Sequence, residues 1–170
     1  GGGGDPSSAW RIRHTPTWIF HGAKDSVVSI RNSEAMSDAL NQFRNVQFTV
    51  YPEAEHDSWA ETYSNEELYR WFLSHKRFKH VETSMPHELE KYIGIYSNNR
   101  NSAKVYLIDG KLNFSLATNA NREQALKPAQ NNTFFFNETT LSEVNFVKGK
   151  KEDYDAIIVY DRQSDLLKKN

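Results

Sequence analysis

Two side chains form a pair that could carry proton-transfer chemistry. Asp25 ends the run Trp18-Ile19-Phe20-His21-Gly22-Ala23-Lys24-Asp25, and His56 lies in Tyr51-Pro52-Glu53-Ala54-Glu55-His56-Asp57-Ser58-Trp59. Each run is apolar and β-prone and ends in a polar loop, so a rigid strand would present a functional residue at its tip. An acid and a histidine suit nucleophilic catalysis by serine. The hydroxyl is a poor nucleophile until a neutral imidazole takes its proton, and a carboxylate then holds and orients the imidazolium. The separation of 31 residues leaves room for one crossover helix and one strand.

Each residue also has an ordinary reading. Asp is common where a strand turns, and a lone loop histidine is usually a surface residue. His21 reads as structural, packed or hydrogen-bonded beside the loop, and Lys24, Glu55 and Asp57 read as solvated. Trp59 suits either a pocket wall or packing under the loop. The nucleophile itself is missing, because no G-x-S-x-G occurs in the 170 residues and neither Ser33 nor Ser58 sits on a Gly-flanked elbow. His75, His80 and His87 lack metal-ligand spacing, so no metal is expected, and no cofactor motif is present. The opening glycines lack the Lys-Ser/Thr of a phosphate loop and read as a permissive lead into Asp5-Pro6-Ser7. Asn131-Asn132-Thr133 and Asn137-Glu138-Thr139 match the glycosylation sequon, a pattern frequent by chance.

The chain has 25% charged and 38% hydrophobic residues and a formal net charge of -1. That balance offers no electrostatic footprint for nucleic acid or an anionic membrane. There are no cysteines, which excludes disulfides and thiolate metal sites and leaves the redox compartment open. No run approaches the roughly 18 apolar residues of a membrane span. The chain opens on Gly1 rather than Met, so an upstream targeting sequence would not be visible.

The elements that must position the pair alternate strand and helix from residue 17 to about 77. Strands are expected at 17–20 and Val46–Tyr51. Met36, Ala39, Leu40 and Phe43 fall at helical spacing between them. A second helix is expected from Ser64, where Ser64-x-x-Glu67 reads as a capping box, through Leu68, Trp71 and Phe72 to about Ser74. Residues 78–86 break both periodicities and read as a linker. Beyond it, from 87 to 170, short strands are expected at 92–96, 103–108, 111–117, 124–127, 133–136, 143–147 and 155–160, an antiparallel barrel or sandwich. Asp109-Gly110 calls for a two-residue type I′ hairpin. That turn pairs Ile108 with Lys111, Leu107 with Leu112, Val105 with Phe114 and Ala103 with Leu116, placing the last six side chains on one face and Lys104, Tyr106, Asn113 and Ser115 on the other. Gly149 could turn a later hairpin.

His21-Gly22-x-x-Asp25-x-Val27-Val28 after Trp18-Ile19-Phe20, with His56-Asp57-Ser58-Trp59 after Val46–Tyr51, resembles the C-terminal part of α/β-hydrolases of the carboxylesterase/phospholipase type, dienelactone-hydrolase-like and predicted-peptidase members included. The resemblance spans about residues 1–77. It implies that Asp25 is the triad acid and His56 the base, with the serine and the oxyanion donors upstream of Gly1. Ser26 and Ser29 stand where that family often has Pro. The run Leu89-Glu90-Lys91-Tyr92-Ile93-Gly94-Ile95-Tyr96, with Asp109-Gly110-Lys111-Leu112, resembles the lipocalin-like β-domains appended to bacterial serine hydrolases. Such a barrel can hold an apolar ligand, although core filling is the expected role for at least two of Phe134, Phe135 and Phe136.

The fold expectation is therefore the C-terminal part of an α/β-hydrolase sheet, with two strands and two helices in residues 1–77, followed by a small antiparallel β-barrel or sandwich. The functional expectation is a portion of a serine hydrolase acting on a small-molecule carboxylic ester, inactive without its upstream half. The alternatives are a binding module that works through the β-domain and a subunit that completes a hydrolase in trans.

Overall fold

The computed structural model describes residues 4–117, 123–137, 141–150, 153–161 and 163–170. Gly1–Gly3 of the opening tract and part of the Asn137 sequon lie outside the described residues. The chain divides into two compact units, Gly1–Phe78 and Lys79–Asn170. No helix among the described residues is long and apolar enough to cross a membrane.

The first unit opens on a 3-10 helix, Pro6–Ile12, absent from the sequence reading. Asp5 starts it by accepting the Ser7 N–H at 2.9 Å, and Pro6 suits a first position that needs no donor. Then follow β1 (Thr17–Gly22), α1 (Ile30–Asn41), β2 (Val46–Tyr51), α2 (Trp59–Ser64) and α3 (Glu66–Ser74). The strands pair in parallel from Thr17↔Val46 to Gly22↔Tyr51, with α1 as the crossover such a pair requires. Strand alternation sends Trp18 and Phe20 to one face and Ile19 and His21 to the other. Trp71 of α3 meets Trp18 edge-on at 5.7 Å, and Ser33 of α1 meets His21, so helices cover both faces. Leu40 is fully buried on α1, while Phe43 lies past the helix end. Ser29 caps α1 by accepting the Arg31 N–H, a use for serine where proline offers no side-chain acceptor.

The capping box expected at Ser64 does not form. Ser64 Oγ donates to the carbonyls of Ala60 and Glu61 at 3.1 and 3.0 Å and closes α2, a helix the sequence reading lacked. Asn65 is extended, and its Oδ1 accepts the Glu67 N–H at 3.0 Å, so α3 begins one residue later. Asn caps at least as well as Ser, and here it sits at the break between two helices.

The second unit is a nearly closed antiparallel barrel. Its strands are β3 (Gly94–Ser97), β4 (Ser102–Ile108), β5 (Lys111–Leu116), β6 (Gln124–Ala125), β7 (Lys127–Pro128), β8 (Thr133–Phe135), β9 (Glu143–Lys148), β10 (Tyr154–Tyr160) and β11 (Ser164–Lys169). They hydrogen-bond in the order β6-β5-β4-β3-β11-β10-β9-β8-β7. The terminal strands of that order, β6 and β7, are separated in sequence by Leu126 alone, whose N–H donates to the Leu112 carbonyl at 2.8 Å. A single five-residue segment therefore bonds to β5 at one end and to β8 at the other.

The β4–β5 hairpin has the expected register throughout, with Asp109 and Gly110 at φ 49° and 73° as a type I′ turn requires. Ala103, Val105, Leu112 and Phe114 enter the core, and Leu107 and Leu116 pack against it. Asn113, expected on the outer face, is nonetheless buried, and its amide donates to the Lys111 carbonyl at 3.0 Å. Phe134 and Phe135 are both buried, and Phe136 packs against the core. Gly149 lies in the β9–β10 connection, where its N–H donates to Asp153.

Two expectations fail at the barrel's ends. Tyr92 belongs to a 3-10 turn, Glu90–Tyr92, rather than to the first strand. Its hydroxyl and that of Tyr154 both donate to Asn132 Oδ1, at 3.1 and 2.6 Å, at the partly buried rim of the core. Burial and the Tyr154 hydroxyl push the Tyr92 phenol well above its ordinary value, and burial pushes Tyr96 up to about 12. Strand β11 was not anticipated, because Ser164-Asp165-Leu166-Leu167-Lys168-Lys169 has no β-branched or aromatic residue. Its place between β10 and β3 overrides that weak propensity, and Leu167 alone of its residues is buried.

Among the described residues, Ala9, Leu40, Tyr51 and Leu68 are the buried hydrophobics of the first unit, against eighteen in the second. Each large one contributes about 1.5–3 kcal/mol on burial, so the first unit has much less to offset its chain entropy. All four tryptophans, Trp10, Trp18, Trp59 and Trp71, lie in the first unit and report on it alone. In urea, the tryptophan fluorescence transition is expected at lower concentration than loss of amide exchange protection in β9 and β10. Coincident transitions would contradict this difference in stability.

Candidate active site

Asp25 and His56 come together at the C-terminal ends of the two parallel strands. The loops that carry them are zipped by backbone. The Ala23 N–H donates to the Tyr51 carbonyl at 2.8 Å, the Lys24 N–H donates to the Ala54 carbonyl at 3.0 Å, and the Lys24 ammonium pairs with Glu53. Gly22 makes the approach possible. A Cβ there would fall well inside contact distance of the Ala54 and Glu55 carbonyl oxygens, and backbone atoms cannot swing away.

The Asp25 side chain is 1% exposed yet surrounded by donors. Oδ1 accepts the N–H groups of Val27 and Val28 at 2.9 and 2.8 Å, an Asx turn that folds the loop around its own carboxylate. His56 Nδ1 lies 3.0 Å from Oδ2 and 3.2 Å from Oδ1. Since a carboxylate only accepts, Nδ1 carries the proton, and Nε2 on the far side of the ring is the basic nitrogen. The His56 side chain is 38% exposed. The Val28 N–H foremost, with His56 and the Val27 N–H after it, holds the Asp25 carboxyl far below the usual range, against the opposing effect of burial. The ordinary turn role and the pairing with histidine are thus both real at Asp25.

The neighbours sort themselves clearly. His21 is fully buried, with Nδ1 2.7 Å from Ser33 Oγ and Nε2 3.0 Å from the Val28 carbonyl and 3.3 Å from Asp25 Oδ2. Trp59 is 52% exposed and sets its ring edge-on to His56, with centroids 5.8 Å apart. Glu55 and Asp57 are exposed. Ser58 is buried at the start of α2, where its carbonyl accepts the Thr62 hydroxyl at 2.8 Å. Of the remaining histidines, His75 Nδ1 meets the Trp71 carbonyl at 2.7 Å, and His80 pairs with Glu143 at 2.9 Å in the second unit and stacks on Phe135. Gly22 and Ser33 are the site-building residues that sequence reasoning missed. A glycine closing a β-prone run was a usable signal for the first, whereas Ser33 reaches the site only through the fold of α1 onto β1.

No protein-family model matches the chain, and no curated protein matches it. One solved structure similar to it is that of a thermostable esterase, 34% identical over 45% of this chain and 23% of the esterase chain, with a TM-score of 0.42. The chain thus spans about a quarter of that esterase's length.

Two outcomes follow from the geometry. Gly22→Ala should separate the loops, cost about 1–3 kcal/mol in the tryptophan-monitored transition, and abolish the downfield proton resonance of His56 Nδ1–H. Retention of that resonance would sink the close-approach argument. The depressed Asp25 carboxyl contributes stability that is complete above the ordinary aspartate value of about 4 and is lost as pH falls below it toward the native value. The first unit should therefore lose stability below about pH 4, and Asp25→Asn should remove that component of the pH profile.

Proposed function

We propose that the first unit supplies the acid and the base of a Ser-His-Asp triad that hydrolyses small-molecule carboxylic esters. The serine and the oxyanion donors are provided by sequence outside these 170 residues, which contain no G-x-S-x-G. The observation that carries this reading is the bond from His56 Nδ1–H to the buried carboxylate of Asp25, with Nε2 directed away and the ring partly exposed. In this role His56 Nε2 takes the serine proton as the hydroxyl attacks the ester carbonyl. It then returns that proton to the leaving alcohol. Asp25 keeps the proton on Nδ1 and stabilises the imidazolium formed in between. A water deprotonated by the same nitrogen then releases the acid from the acyl-enzyme.

The 170-residue chain alone is expected to turn over no p-nitrophenyl ester. In a polypeptide that carries the serine elbow ahead of this sequence, His56→Ala should lower kcat by about 10⁶ and Asp25→Asn by about 10⁴. Activity within tenfold of the unsubstituted protein in either variant would refute the triad.

A further inference from the structure

His21 links the acid loop, through Nε2, to α1, through Nδ1. Nε2 faces two groups that can only accept, the Val28 carbonyl at 3.0 Å and Asp25 Oδ2 at 3.3 Å. The proton must therefore sit on Nε2, since a lone pair there would oppose two others. In the neutral ring, Nδ1 is then an acceptor, and the Ser33 hydroxyl 2.7 Å away donates to it. Ser33 is itself buried on the first turn of α1, so the pair ties the acid loop to the crossover helix. Val28 is gripped from both sides, its carbonyl by His21 and its N–H by Asp25 Oδ1 at 2.8 Å.

We propose that the His21–Ser33 pair is a positioning device for Asp25. The Ser33 hydroxyl holds the plane of the His21 ring by donating to Nδ1, and the Nε2–H on the opposite side pins the Val28 peptide and one carboxylate oxygen, so that Asp25 meets His56 in a single orientation. The name of this role rests on Asp25 being the triad acid, whereas the device is a property of this chain. Deleting the Ser33 hydroxyl leaves the buried Nδ1 lone pair unsatisfied and frees the ring to tilt, while the two acceptors still hold the proton on Nε2. The carboxylate then loses its fixed side.

The test uses the whole 170-residue chain with ¹⁵N-labelled histidine. His21 should show a protonated Nε2 and an acceptor Nδ1. In Ser33→Ala the proton should stay on Nε2 while the Nδ1 resonance moves with the loss of its donor, exchange of the Val27 and Val28 amides should rise by about tenfold or more, and the His56 Nδ1–H resonance should weaken. The Gln47 and Thr49 amides of β2, on the side that bonds to β1, should stay protected. As a second pair, His21→Gln keeps an N–H donor near the Nε2 position and should retain Val27 and Val28 protection to within about threefold, while His21→Leu should lose it. An unprotonated Nε2, an unchanged loop in Ser33→Ala, or equal behaviour of the Gln and Leu variants would overturn the proposal. If instead these shifts appear but Asp25→Asn leaves ester turnover intact in the serine-bearing polypeptide, the triad reading fails and the positioning device stands.

Discussion

The site depends on one close approach of backbone to backbone. Gly22 lies against the carbonyls of Ala54 and Glu55, and the Ala23 and Lys24 amides bond across the same gap. The distance between acid and base is thereby set by main chain rather than by two flexible side chains finding each other. A pair held this way needs little further ordering, because the ordering was accomplished when the sheet formed. The parallel register of β1 and β2 is the deeper cause. With Gly22 opposite Tyr51, both loops leave the sheet at one level, and neither has to travel far.

Asp25 meets two demands that would conflict in another setting. A carboxylate withdrawn from water is unfavourable unless donors replace its hydration. Two loop N–H groups and one imidazole N–H do so here, and the same bonds that make the charge tolerable also shape the loop. Turn residue and acid are one design, in which the folding of the loop and the ionisation of its carboxyl support each other. The buried His21 adds a third face to this arrangement and leaves the partly exposed ring of His56 as the side open to solvent.

What was legible in the sequence was local or strongly periodic. The Asp109-Gly110 turn and its six apolar flanks specify one register between them, and the barrel adopts it because turn geometry and burial agree. Asp25 and His56 were legible because each ends a β-prone run. Ser64 misled because a serine three residues before a glutamate is only half of a cap, and the choice between Ser64 and Asn65 was made by where α2 stops. Strand β11 was hidden because its pairing comes from neighbours distant in sequence, which no local propensity encodes. Ser33 stayed hidden for the same reason, since a hydroxyl on a helix says nothing about the histidine it will face.

The segment Gln124–Pro128 has a consequence for the whole barrel. Because it belongs to both ends of the strand order, the ladders form a loop of dependencies rather than a row. A one-residue slip between β5 and β6 would have to be absorbed within Leu126, whose side chain is buried and whose N–H is already committed to Leu112. Otherwise it passes to β7 and β8 and inverts which of Phe134 and Phe135 faces inward. The nine strands are in this sense phase-locked, and the inside and outside of every strand are decided together.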